Sequence, residues 1–121
     1  MADRVLFISW GTPVRGLEEH GLEVFNEALG LFGRMQQDGR IESFDAMLFE
    51  PNGGSLDGCI QLHGSADQLA AVRMSEEFTR MLVQANLVVD ELSLVGGYAG
   101  EGVARQMALY QEAIAAVPQR T

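Results

Sequence analysis

The sequence predicts an α+β domain of order β-α-β-β-α-β, with a four-stranded antiparallel sheet and an added C-terminal helix. Three observations predict it. The first is a hairpin, in which alternating stretches at 41–50 and 57–64 flank Pro51-Asn52-Gly53-Gly54-Ser55. Asn-Gly and Gly-Gly supply the positive φ angles a reversal needs, and Pro51 cannot donate to a ladder. The second is the run RVLFISW at 4–10, apolar on both parities, as a strand covered on both faces must be. The third is a pair of long stretches with helical spacing, one before the hairpin and one after it.

Taken in order, the first strand covers 4–10 and ends at Trp10, where Gly11-Thr12-Pro13 breaks it. Either Thr12 caps a helix with Pro13 at its first position, or the helix starts near Leu17 after a Gly16 turn. Leu17, Val24, Ala28, Leu31 and Met35 recur at helical spacing, with Gly21 on the same stripe. Gly30 and Gly33 lie inside, each costing roughly 1 kcal/mol against Ala, which suggests a close approach or a kink. Asp38-Gly39 ends the helix, with Gly39 as the left-handed cap.

In the hairpin, a register that sets Phe49 opposite Asp57 also pairs Met47 with Cys59, Asp45 with Gln61 and Ser43 with His63. Phe44, Ala46, Leu48, Ile60 and Leu62 then share an apolar face, and the chemical side chains share the other. A slip of one residue would exchange the faces. Ser65 and Gln68 form a capping box for a helix running to about Ala85, with the stripe Ala71, Met74, Phe78, Met81, Leu82 and Ala85. Asn86 is suited to its left-handed end. A fourth strand is expected over 87–95, and Gly96-Gly97-Tyr98-Ala99-Gly100 leaves the sheet. Val103, Met107, Tyr110, Ile114 and Val117 stripe a last helix that Pro118 stops.

A chain of 121 residues suits one domain, residues 1–121. An apolar fraction of 47% supports a core, and 21% charged residues argues against disorder. The net charge of -9 argues against nucleic acid and anionic membrane surfaces, both of which repel an acidic protein. No stretch approaches the roughly 18 apolar residues of a membrane span. The opening MADRVLFISW has no basic-then-apolar signal pattern, so a cytoplasmic location is expected. One cysteine excludes an intrachain disulfide, and with two histidines it offers no structural zinc set. No cofactor is expected.

The element order is the split βαβ, ferredoxin-like pattern. Its helices cover one sheet face. The other face holds Val5 and Phe7, or Leu6 and Ile8, with Met47, Phe49, Cys59 and Val95. An apolar surface of that size on a small domain marks an interface, so a two-fold homodimer with sheets packed face to face is expected. The last helix either covers part of that surface or reaches over a partner. Strand order, length and the doubly apolar first strand resemble the dimeric α/β-barrel superfamily over roughly residues 4–98. That group includes cofactor-free monooxygenases, muconolactone-isomerase-like enzymes, stress-responsive barrel proteins and haem-degrading enzymes. The resemblance is one of topology, and topology does not carry function.

The candidate chemistry is sparse. Asp45, Gln61 and His63 share a hairpin face, and an Asp can orient a His and keep it basic. Some members of the superfamily carry such a pair. The competing reading is a polar network at a dimer interface. Trp10, at the strand end where a pocket between sheet and helices opens, and Tyr98 can stack on a flat ligand or simply pack. His20, among Glu18, Glu19 and Glu23, reads as a solvated surface residue, and Cys59 as a buried structural thiol. The run from Gly96 to Gly102 precedes a helix but lacks the Gly-Lys-Ser/Thr ending of a phosphate loop. Arg15 and Arg73 can bind an anion, but surface ion pairing is the expectation for both.

Three functions are compatible with these residues. One is a dimer that binds a small organic ligand between sheet and helices through Trp10, Gln61 and Tyr98. The second is a cofactor-free oxygenase or isomerase with His63 as base and Asp45 orienting it. The third is a purely structural dimer.

Overall fold

The computed structural model describes residues 2–118 and 120. Its sheet runs β2-β3-β1-β4 and is antiparallel throughout. Strand β1 (Arg4–Trp10) lies between β3 (Gly58–Gly64) and β4 (Ser93–Tyr98), with Leu6 and Ile8 of one parity buried in the core under the helices and Val5 and Phe7 of the other on the far face. The hairpin adopts the register that its alternation predicts. Strand β2 (Ser43–Leu48) pairs Ser43 with His63, Asp45 with Gln61 and Met47 with Cys59. The Phe49 amide donates to the Asp57 carbonyl at 2.8 Å. Asn52 organises the loop: its Oδ1 accepts from the Gly54 amide, and its Nδ2 donates to the Glu50 and Leu56 carbonyls.

Helix α1 (Glu18–Gln37) takes the later of the two expected starts, after Leu17 and without a side-chain cap. Pro13 instead forms an isolated bridge with Val89. The stripe buries Val24, Ala28, Leu31, Phe32 and Met35, and the last four share one core cluster with Leu6, Ile8, Ile60 and Leu62 of the sheet. The helix ends at Asp38, and Gly39 follows with a φ of 76°, the left-handed cap its sequence promised. Gly30 and Gly33 do not mark a close approach. A Cβ on Gly33 would meet nothing within 4 Å, and one on Gly30 only the Arg34 guanidinium at 3.4 Å.

The stretch after the hairpin differs from expectation, for it forms two helices rather than one. Helix α2 (Ala66–Met74) and helix α3 (Glu76–Val88) meet at Ser75, whose extended backbone ends the first and caps the second. Its hydroxyl donates to the Val72 carbonyl at 2.7 Å and accepts from the Phe78 amide at 3.3 Å. The break resets the helical phase. Leu69 and Val72 are buried in α2, Phe78, Met81 and Val88 in α3, and Met74 is 86% exposed. At the start of α2 the capping box is present: Gln68 N–H donates to Ser65 Oγ, and Ser65 N–H donates to Gln68 Oε1.

Helix α3 also runs through Asn86 to Val88, where a strand was expected. Burial of Val88 against the core outweighs the β-propensity of Leu87-Val88-Val89. Strand β4 therefore begins at Ser93 and keeps Gly96, Gly97 and Tyr98 within the sheet. Its parity is as expected, with Leu94 opposite Ile8 on the helix side and Val95 opposite Phe7 on the far side.

The far side of the sheet is left partly open among the described residues. Met47 is 43% and Val95 53% exposed there, while Cys59 and Ser9 are buried at its centre. Helix α4 (Glu101–Ala115) is tethered at its start by the Arg105–Asp3 ion pair and by Gly102 packed on the Asp3 backbone. Beyond that, every described residue of α4 other than Gly102 is exposed, including Val103, Met107, Tyr110 and Ile114. Among the described residues no helix is long and apolar enough to cross a membrane.

Candidate functional site

A cavity of about 220 Å³ lies between the sheet and helices α1 and α3. Trp10, Leu22, Phe25, Met81, Ala85 and Leu92 are among its walls, and among the described residues Glu18 is the only ionisable one that lines it. Trp10 reaches it because Leu6, Ile8 and Trp10 share the helix-facing parity of β1. Its partner across the ladder is Gly58. A Cβ on Gly58 would stand 2.7 Å from Trp10 Cζ2 and 2.8 Å from the Met47 carbonyl, so only glycine lets the indole lie there. The Phe25 ring meets it edge-on, with centroids 5.7 Å apart. Such a chamber, apolar with one indole N–H and one carboxylate, suits an apolar or aromatic molecule. The Glu18 carboxylate accepts from the Gly16 amide at 2.8 Å, which fixes it at the first turn of α1.

The other predicted residues are placed elsewhere. His63 and Asp45 do meet: Nε2 and Oδ2 are 3.1 Å apart, with side chains 23% and 69% exposed. They lie on the far face of the sheet with Gln61, because all three have the opposite parity to Ile60 and Leu62. Gln61 and His63 therefore cannot share a small ligand with Trp10. Tyr98 pairs with Arg4, at the other end of β1 from Trp10. The Arg4 guanidinium carbon sits 4.6 Å from the centre of its ring, a cation–π contact. The three residues expected to bind one ligand thus occupy three separate places.

His20 is exposed, with Nδ1 3.4 Å from the Glu23 carboxylate. Cys59 is fully buried, and burial pushes its thiol above the ordinary value, the reverse of what a nucleophile needs. Sequence reasoning missed Glu18 and Leu22 in the cavity wall, since the start of α1 was open between two positions. It also missed Arg4, which reads as the polar edge of an apolar strand.

Comparison with known proteins adds the fold and little else. No family model matches the chain, and no curated protein does. Solved structures do match. An ethyl tert-butyl ether d (ethd) family protein from Bacillus halodurans aligns with a TM-score of 0.64 at 11% identity, covering 81% of this chain and 99% of its own. A dimeric ferredoxin-like protein of unknown function from Thermobifida fusca gives 0.63 at 10% identity, covering 82% and 93%. SnoaB, a cofactor-independent oxygenase from Streptomyces nogalater, gives 0.50 at 15% identity, also covering 82% and 93%. The chain thus has the ferredoxin-like α+β fold and resembles, in topology, a set of proteins that includes dimers and oxygenases. At these identities the likeness is one of fold.

Proposed function

We propose that the chain is a homodimeric binding protein that takes a small apolar or aromatic ligand into the cavity beside Trp10. The observation that carries this reading is the lining itself, a concave apolar wall whose one charged group among the described residues is Glu18. Ligand pockets have this composition, with few polar groups set in an apolar surround. Dimerisation rests on the far sheet face and on α4. A lone protomer leaves Val95, Met47 and the apolar stripe of α4 in water, and two copies packed sheet to sheet cover them.

Trp10 is the one tryptophan of the chain, so its fluorescence reports on this cavity alone. Titration with 2-naphthol quenches it saturably, and Ala85→Leu, which fills the wall, weakens that binding about tenfold or more. Unsaturable quenching, identical in both proteins, refutes the ligand reading and leaves a structural dimer.

A second reading is favoured by one specific observation, the His63–Asp45 hydrogen bond. A carboxylate accepting from Nε2–H leaves Nδ1 with the lone pair, so His63 would act as a general base through Nδ1. In this reading the chain is a cofactor-free oxygenase or isomerase whose substrate lies on the far face, not beside Trp10. The imidazole nitrogen signals of His63 in 15N NMR, recorded for the wild type and for Asp45→Asn, test it. A fixed Nε2–H tautomer in the wild type that is lost in the variant supports the dyad, and a tautomer unaffected by the substitution refutes the assignment.

A further inference from the structure

A second concavity, separate from the Trp10 cavity, opens between β1, β4 and α2. It holds about 260 Å³, and two guanidinium groups, of Arg4 and Arg73, line it. Among the described residues none that lines it is acidic. All eight basic residues of the chain are arginines, set against 17 carboxylates. Arg40, Arg80 and Arg105 each pair with one of those carboxylates. Arg4 and Arg73 do not, and neither do Arg15 and Arg34: among the described residues none of these four has a carboxylate within ion-pair distance, and only Arg4 and Arg73 share a cleft with no acidic lining residue. The surface pairing that the sequence suggested for Arg73 is therefore absent.

Arg4 is the more constrained of the two. Its guanidinium is stacked on Tyr98, which leaves the edge of the group for hydrogen bonding. Its Nε is buried and has no hydrogen-bond partner among the described residues. Buried N–H groups are almost always paired, so this orphaned donor marks Arg4 as a side chain whose polar partner the described residues do not supply. Gly96 provides the room. A Cβ there would stand 3.7 Å from Arg73 Nη1 with nothing nearer, so the strand approaches the Arg73 guanidinium without a side chain between them.

We propose that this cleft binds the carboxylate of a small organic acid, held between Arg4 and Arg73. Two guanidinium groups in one acid-free cleft suit an oxyanion, and their planar forks match a carboxylate bidentately. The remaining wall is apolar, with Leu6, Leu69, Ala70 and the Tyr98 ring, and so accommodates an apolar body behind the charged group. The net charge of -9 disfavours a highly charged ligand by long-range repulsion, which selects a monoanion over a polyphosphate or nucleic acid. The site is independent of the Trp10 cavity, whose walls lie under α3 rather than α2.

The test is an NMR titration of the full chain with sodium benzoate, neutral benzamide and inorganic phosphate, following the Gly96 and Gly97 amides and the arginine Nε–H signals. Benzoate shifts them saturably at millimolar concentration, and benzamide does not. Arg73→Gln, at an exposed position, weakens benzoate at least about tenfold. Gly96→Val, which keeps both charges and fills the space, does the same. Equal responses to benzoate and benzamide overturn the proposal, as does binding unaffected by Arg73→Gln. Phosphate binding as tight as benzoate overturns the carboxylate assignment. The absence of any shift overturns the site.

Discussion

Replacing Phe32 by Ala lowers the free energy of unfolding by about 3–5 kcal/mol, as read from the urea midpoint at constant slope. Phe32 is fully buried. Its ring stands 6.0 Å from that of Phe44 on β2 and 6.3 Å from that of Phe78 on α3, both tilted. One side chain of α1 thereby joins the hairpin to the helix after it. Removing it deletes two aromatic contacts and leaves a void that three elements must close together. A domain of this size has about 5–15 kcal/mol in hand, so the variant is only marginally folded. Phe32 also borders the Trp10 cavity, so the void enlarges a chamber that already exists, and an apolar ligand that fills it recovers part of the loss. A loss below about 1 kcal/mol would place the centre of the core elsewhere.

Val95→Asp has the second large effect, on assembly rather than folding. Val95 is half exposed beside Phe7 on the far face of the sheet, so a protomer tolerates a carboxylate there and keeps its circular dichroism spectrum. A face-to-face dimer does not. Each copy would bury an unpaired charge, at about 3–5 kcal/mol per broken site, and the dissociation constant rises several hundredfold or more. In light scattering the wild type runs at twice the chain mass of 13.2 kDa and the variant at the chain mass itself. A wild type at 13.2 kDa at every concentration refutes sheet-to-sheet packing, and so does a Val95→Asp variant that stays dimeric.

The parts of this fold legible in the sequence are those where two independent signals coincide. The hairpin register follows from parity on both strands together with a loop rich in Asn and Gly, and no slip satisfies both. The first strand and the Gly39 cap are legible for the same reason. The break at Ser75 is less so, because Met74, Phe78 and Met81 continue an apolar rhythm across it. The available signal is local: a serine followed by Glu76 and Glu77 is an N-terminus in miniature. The start of β4 was misplaced because Leu87-Val88-Val89 has strand propensity, and only burial of Val88 against the core makes its first two residues helical.

The candidate site was legible in its pieces but not in their arrangement. The His63–Asp45 contact follows from hairpin register alone and is present. Whether Trp10 and Tyr98 share a pocket depends on the pairing of β1 with β4, which no local pattern encodes. That pairing sets them at opposite ends of one strand. Arg4 was invisible because the feature that distinguishes it, a partnerless Nε, exists only after the chain has folded around it.

Ser75 divides more than a helix. The wall over the Trp10 chamber is contributed by α3, and the wall over the arginine cleft by α2. The two segments are joined through a single serine held by its own hydroxyl. The two compartments are therefore walled by different helices, so a substitution that reshapes one chamber alters side chains that the other does not share.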